Sequence, residues 1–203
     1  MKCINLGFMA SHGGSNMQAV LDAVNNGHLL AKPCVLISNN STSKAIERAQ
    51  NQGMPYYHLS QSTHSDFDDL DVSILKAFKR YEVEYILLVG YMRKLGANTL
   101  KEYKGRIINI HPSLLPKYGG EGMYGRYVHE EVLKNNEVET GVSIHLVDEE
   151  YDTGRIINQT TVPILPDDTR ETLSDRVLKK EHEFLVETLI KVSKGEISLN
   201  ESR

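Results

Sequence analysis

An asparagine and a histidine two residues apart, Asn109 and His111, close an apolar run and are followed at once by Pro112. On an extended strand the side chains of i and i+2 share one face, and the proline keeps His111 out of helical conformation. An amide can donate to an oxygen that is gaining negative charge, and an imidazole can carry a proton near neutral pH. Together they make half of an acyl-transfer site. The other half is a carboxylate, and residues 148–152 supply Asp148, Glu149, Glu150 and Asp152 directly after another apolar run. Acidic loops are commonly only solvated. Asp152, between Tyr151 and the Thr153-Gly154 turn, is the candidate, because a carboxylate beside His111 would stabilise its imidazolium form. His145, on the run that leads there, could orient Asp152 or a water, or serve as a hydrogen-bonded structural histidine.

A second chemical feature lies near the start. Ala10-Ser11-His12-Gly13-Gly14-Ser15-Asn16-Met17-Gln18 joins a strand-like run to a helical one, with Ser15 placed as N-cap and Gln18 three residues on. Unpaired N–H groups and the helix dipole at such a turn favour an anion, phosphate above all. An ordinary strand-to-helix turn fits the same residues equally well. The run is neither the dinucleotide fingerprint nor a phosphate loop of the Walker type, which would carry a lysine.

These groups need a scaffold that brings strand ends together. Short runs rich in Ile, Val and Leu recur at residues 3–9, 34–38, 85–89, 106–110, 142–147 and 156–162. Helical spacing separates the first several: Met17, Val20, Leu21 and Val24; Ile46 and Ala49; Leu70, Ile74, Leu75 and Phe78. Alternation of this kind predicts a single α/β domain, Rossmann-like, with a mostly parallel sheet covered by helices on both faces. The last third predicts a mixed part: two strands about the Asp152-Thr153-Gly154 turn, then one long helix from about Thr169 to Val192, opened by a capping box. In such sheets ligands bind beyond the carboxyl ends of the strands, where Asn109 and His111 stand. The domain is expected to span residues 1–195, with 196–203 a loose polar tail. Four glycines among residues 119–125 predict a mobile connection, either a lid over substrate or an ordinary surface loop.

The 203 residues are 40% hydrophobic and 25% charged, with a net charge of -4 and two cysteines, Cys3 and Cys34. That composition suits one globular domain in a reducing, cytoplasmic compartment, with no disulfide framework or cysteine metal pair. A slight acidity argues against nucleic acid as a general partner, and no apolar run approaches a membrane span or a signal peptide.

Asn109-Ile110-His111-Pro112-Ser113-Leu114-Leu115-Pro116-Lys117-Tyr118, with Ser143-Ile144-His145, Asp152-x-Gly154 and Gly14-Ser15-Asn16, resembles the folate-dependent formyltransferases. Within them the Gly-Ser-Asn loop and the length point to the phosphoribosylglycinamide formyltransferases of purine biosynthesis, and the similarity runs from the first strand to Glu181-His182. The resemblance implies transfer of a formyl group from 10-formyltetrahydrofolate, as co-substrate, to the amine of glycinamide ribonucleotide, by a monomer or homodimer without a metal. It implies that Asn109, His111 and Asp152 are catalytic, with His145 in support. Gly14, Ser15 and Asn16 would hold the substrate phosphate and Glu181 the ribose. Met92, Arg93, Lys94 and Leu95 would line the folate pocket, with Asp148, Glu149, Glu150, Tyr151 and Asp152 on its other side and Asn109 between. A sugar-nucleotide N-formyltransferase, a formyltetrahydrofolate hydrolase and a non-catalytic binding module stay open as alternatives. The stretch between Tyr118 and His129 is longer than is usual in the family.

Overall fold

The apolar runs and amphipathic stretches alternate along the computed structural model, which describes residues 2–199. β1 (Ile4–Ala10), α1 (Ser15–Asn25), β2 (Ala31–Ser38), α2 (Lys44–Asn51), β3 (Tyr56–His58), α3 (Phe67–Arg80), β4 (Tyr85–Leu88), α4 (Ala97–Glu102) and β5 (Ile107–His111) form the first part. α5 (Arg126–Lys134), β6 (Glu139–Leu146), β7 (Ile156–Pro163) and α6 (Arg170–Lys194) complete it. The strands make one sheet in the order β3-β2-β1-β4-β5-β6-β7. β1 to β5 run parallel, β6 pairs antiparallel with β5, and β7 pairs antiparallel with β6.

Side chains alternate along each inner strand, so each feeds two cores. Leu6, Phe8 and Leu36 pack beneath Met17 and Val20 of α1, Ala45 and Ala49 of α2, Val128 and Val132 of α5, and Leu173 and Val177 of α6. Met9, Val35 and Ile37 face the opposite side, under Leu70, Ile74 and Phe78 of α3. Helices therefore cover both faces, as the alternation requires. The chain leaves β1 toward β2 and β3, then crosses back through α3 to place β4 on the other side of β1. This reversal between β1 and β4 opens a crevice at the carboxyl ends of the strands.

Three elements were not legible in advance. β3 is only three residues long, and α4 and α5 are short with few apolar positions. α4 owes its start to a remote carboxylate: buried Asp71 of α3 accepts the N–H of Asn98 at 2.7 Å and of Thr99 at 3.2 Å. The long helix begins where the sequence places it, with Thr169 as N-cap in a reciprocal box with Thr172. The tail differs from the expectation of a loose segment. Leu199 is buried in the core, and the Arg155 guanidinium donates to the carbonyls of Ser198 and Leu199 at 3.1 Å, so apolar burial and two hydrogen bonds seat residues 196–199. Residues 200–203 of that expected tail lie outside the described residues.

Candidate active site

A cavity of about 550 Å³ occupies the crevice. Its floor is made by segments that follow three strand ends: His12 to Asn16 after β1, Val89 to Met92 after β4, and Asn109 to Pro112 at the end of β5. Met123, Tyr124 and Gly125 of the glycine-rich connection form one wall, and His129, Ser174 and Glu181 come from the helices.

Asn109, His111, His145 and Asp152 meet at one end. The antiparallel register sets Asn109 opposite His145 and His111 opposite Ser143, so the two halves read separately from sequence face each other across β5 and β6. Asp152 completes the group from the loop after β6. Its backbone is left-handed, with φ 58°, and Gly154 lets that loop fold back, since a Cβ there would stand 1.9 Å from the carbonyl oxygen of Leu146. One carboxylate oxygen of Asp152 accepts the Gly120 N–H at 2.9 Å and lies 3.5 Å from His111 Nδ1. The other lies 3.3 Å from His145 Nε2 and 3.4 Å from the Asn109 amide nitrogen.

The hydrogen bonds assign the tautomers. His111 Nε2 sits 2.7 Å from the carbonyl oxygen of Tyr118, which can only accept, so Nε2 carries the proton and, in the neutral ring, Nδ1 carries the lone pair. His145 Nδ1 sits 2.8 Å from the carbonyl of Leu146, so in the neutral ring Nε2 offers a lone pair, and the Asn109 amide donates to it at 3.0 Å. Burial penalises the charged form of His111 and outweighs the Asp152 carboxylate, which favours it, so its pKa falls below the ordinary value. The expectation of a stabilised imidazolium is thus reversed in the free protein: Asp152 pulls in the expected direction, and desolvation wins. Burial also works against the Asp152 carboxylate, but the His145 and His111 rings, whenever they carry a second proton, and the Gly120 N–H hold its pKa below the ordinary range.

The turn after β1 differs from its sequence reading in one respect. The N-cap of α1 is Gly14, not Ser15, and no side chain caps the helix. Gly14 takes φ 64°, and a Cβ on it would come within 2.8 Å of the Ala45 Cβ, so only glycine turns the chain here beneath α2. With Ser15 drawn into the helix, the first-turn N–H groups have no side-chain partner, which is the arrangement that attracts an anion. Arg48 of α2 braces the turn by donating to the Gly13 carbonyl at 2.9 Å. Gly14→Ala is expected to cost about 1–2 kcal/mol from the left-handed backbone alone and to weaken binding of a phosphorylated ligand. Thermal melts and calorimetric titration with ribose 5-phosphate check this; unchanged affinity in a folded variant would place the phosphate elsewhere.

Glu181 stands behind this turn, buried, with Asn16 donating to its carboxylate at 3.1 Å. Burial pushes its pKa up to about 7, only partly opposed by the Asn16 hydrogen bond. A carboxyl raised in the fold favours the folded state most at low pH, and that advantage is lost between about 4.5 and about 7 as the unfolded chain ionises first. Glu181→Gln is therefore expected to stabilise the free protein at pH 8 by up to about 3 kcal/mol and to change it little at pH 5. Equal melting shifts at the two pH values would show that the carboxyl is not neutral in the fold.

The residues expected around folate divide between neighbouring spaces. Arg93, Lys94, Leu95, Asp148, Glu149, Glu150, Tyr151 and Asp152 line a small cavity of about 70 Å³ that also touches Asn109 and His145. Met92 instead lines the 550 Å³ cavity and a second one of about 410 Å³, which reaches past Tyr91, Arg93 and Lys94 toward Ser60 and Phe67. Asp148 shapes the acidic loop by accepting the Thr153 hydroxyl at 2.7 Å, and Lys94 lies over the Tyr151 ring at 5.2 Å. His129 and Ser174, whose spacing carries no motif, are not singled out by the sequence, whereas Met123 and Tyr124 fall within the 119–125 stretch read as a lid or a surface loop.

A family described as formyl transferase matches residues 4–189. This chain belongs to the formyl transferase family. It is 30% identical over 199 residues to the phosphoribosylglycinamide formyltransferase of Escherichia coli (strain K12), covering 98% of this chain and 92% of that one. A chloroplastic phosphoribosylglycinamide formyltransferase of Vigna unguiculata is 36% identical over 184 residues, 91% of this chain. The chain spans 59% of the length of that plant protein and 63% of its Arabidopsis thaliana counterpart. The crystal structure of glycinamide ribonucleotide transformylase 1 from Symbiobacterium toebii superposes with a TM-score of 0.90 at 31% identity, over 99% of this chain and 92% of that one. The formyl transferase fold thus carries the seven-stranded sheet, mostly parallel, and the crevice described above.

Proposed function

We propose that this chain transfers the formyl group of 10-formyltetrahydrofolate to the amine of glycinamide ribonucleotide, a step of purine biosynthesis. The observation that carries the reading is one continuous cavity, lined both by an open helix N-terminus and by the Asn109, His111, Asp152 cluster. A phosphate at Gly14, Ser15 and Asn16 would leave the rest of an acceptor pointing along the cavity to His111, with Glu181 beside its ribose. The folate donor fits the two adjoining spaces that share Tyr91, Arg93, Lys94 and Tyr151, since apolar Leu88, Leu95 and Val147 suit a flat ring and the larger space suits an extended tail. Relatives named phosphoribosylglycinamide formyltransferase support this choice of substrates.

In this reading the acceptor amine attacks the formyl carbon and negative charge gathers on the formyl oxygen. Asn109 donates to that oxygen by releasing its longer bond, the 3.4 Å contact to Asp152. His111 Nδ1 takes the proton that the amine sheds, and its imidazolium lies between the Asp152 carboxylate and the Tyr118 carbonyl. The same proton then passes to the departing folate nitrogen as its bond to the formyl carbon breaks. Among the described residues no group of three or more His, Cys, Asp or Glu is arranged to hold a metal, and no helix is long and apolar enough to cross a membrane. Free Cys3 and Cys34 support a cytoplasmic setting, where the protein would act as a monomer or homodimer.

Incubation with 10-formyltetrahydrofolate tests the reading, with glycinamide ribonucleotide, amino sugar nucleotides or water alone as acceptor. Folate deformylation should require glycinamide ribonucleotide. Equal loss of the formyl group in water alone would make the protein a hydrolase, and turnover with an amino sugar nucleotide only would reassign the acceptor.

A further inference from the structure

The cavity holds a second imidazole that the steps above do not use. His129 lies on the inner side of α5, between Val128 and Val132 of the core, and only 3% of it is exposed. Its Nδ1 is sealed from solvent and has no hydrogen-bond partner among the described residues. The ring lines the cavity together with His111 and Glu181, so Nε2 is the edge that a ligand can reach. Nδ1 stays closed to any ligand, so a partner for this buried ring can come only at Nε2.

We propose that His129 is a specificity-determining residue whose Nε2–H donates to the carboxamide oxygen of the acceptor, holding that group beside His111. This inference rests on the proposed function for the identity of the acceptor. Three observations place the contact. Glu181 is tied to Asn16 and so belongs to the phosphate and ribose end. His129 lines the same cavity as His111 and Pro112, and the His111 charge acts on its ring, which puts it at the reacting end. In glycinamide ribonucleotide the carboxamide stands between the ribose and the attacking amine, so its oxygen falls in the stretch that His129 faces. The tautomer with the proton on Nε2 puts a donor where the substrate needs one and leaves only a lone pair, not an N–H, unpartnered in the core. Burial first, then His111, brings the His129 pKa down to about 4, so the ring donates as a neutral group near pH 7.

A neutral donor facing a carbonyl recognises an amide and gives little to a phosphate, and this separates it from the turn at Gly14. Calorimetric titrations of the wild type, His129→Leu, His129→Gln and His129→Asn with glycinamide ribonucleotide and with ribose 5-phosphate test the assignment. His129→Leu should lose about tenfold or more in affinity for glycinamide ribonucleotide, with ribose 5-phosphate bound as in the wild type and the KM for 10-formyltetrahydrofolate unmoved. His129→Gln, which carries an N–H near the place of Nε2, should recover most of the loss. His129→Asn, which places its N–H near Nδ1, should not. Equal losses for both ligands, equal behaviour of the three folded variants, or no loss at all would each overturn the assignment. A wild type that binds ribose 5-phosphate but neither binds nor formylates glycinamide ribonucleotide would overturn the proposed function, and the assignment with it.

Discussion

Asn109→Ala should lower turnover at least about 10²–10³-fold, equivalent to about 2.7–4 kcal/mol of transition-state stabilisation, the size of effect seen when one oxyanion donor is removed. The amide of Asn109 is held in place from two sides, by the His145 Nε2 lone pair at 3.0 Å and by Asp152 at 3.4 Å. It is therefore oriented before substrate arrives, and only the longer bond to Asp152 is given up when charge develops. His111→Ala should fall at least as far, for a different reason, because it removes the carrier of the proton. Steady-state rates with both substrates at saturation check the pair. If Asn109→Ala kept more than a tenth of wild-type turnover, the formyl oxygen would have another donor.

Much of this cluster was visible in the sequence because two residues apart on a strand fixes a face whatever the rest of the fold does. Asn109 and His111 needed only that rule, and Pro112 marked where the strand stops. The partner His145 was harder. Its pairing opposite Asn109 depends on the antiparallel return of β6, a long-range register that no local spacing encodes. The protonation state of His111 could not be read at all. Its direction is set by two opposed effects, burial and the Asp152 charge, and only the packed structure says which is larger. The Gly14 cap shows the reverse failure: Ser15 is the better capping residue by type, yet the left-handed turn that fits beneath Ala45 demands glycine one position earlier. His129 was missed because a histidine between two core valines on a short helix looks like packing, and its unpartnered nitrogen appears only in three dimensions.

Asp152→Asn is the second large effect, and it separates charge from shape. The substitution keeps the size of the side chain and an oxygen able to accept the Gly120 N–H, but it removes the negative charge 3.5 Å from His111 Nδ1. That charge favours the imidazolium against burial, so its loss must move the His111 pKa further down. An opposite charge at this range shifts a pKa by about 1–3, and if the imidazolium forms during the reaction, turnover should drop by about 10–10³-fold. Folate binding should be largely kept, because the small cavity beside Leu95 and Val147 is unchanged in shape. The carboxylate itself stays ionised across neutral pH. Its depressed pKa means that its contribution to stability is held above the ordinary value of 3.8 and is lost as pH falls through the lower folded value. Wild-type protein should therefore lose more stability than the variant when acidified below that range. An NMR titration of His111 together with steady-state rates decides the matter: wild-type turnover with an unmoved His111 pKa would remove Asp152 from the proton's path and leave it a loop anchor for Gly120.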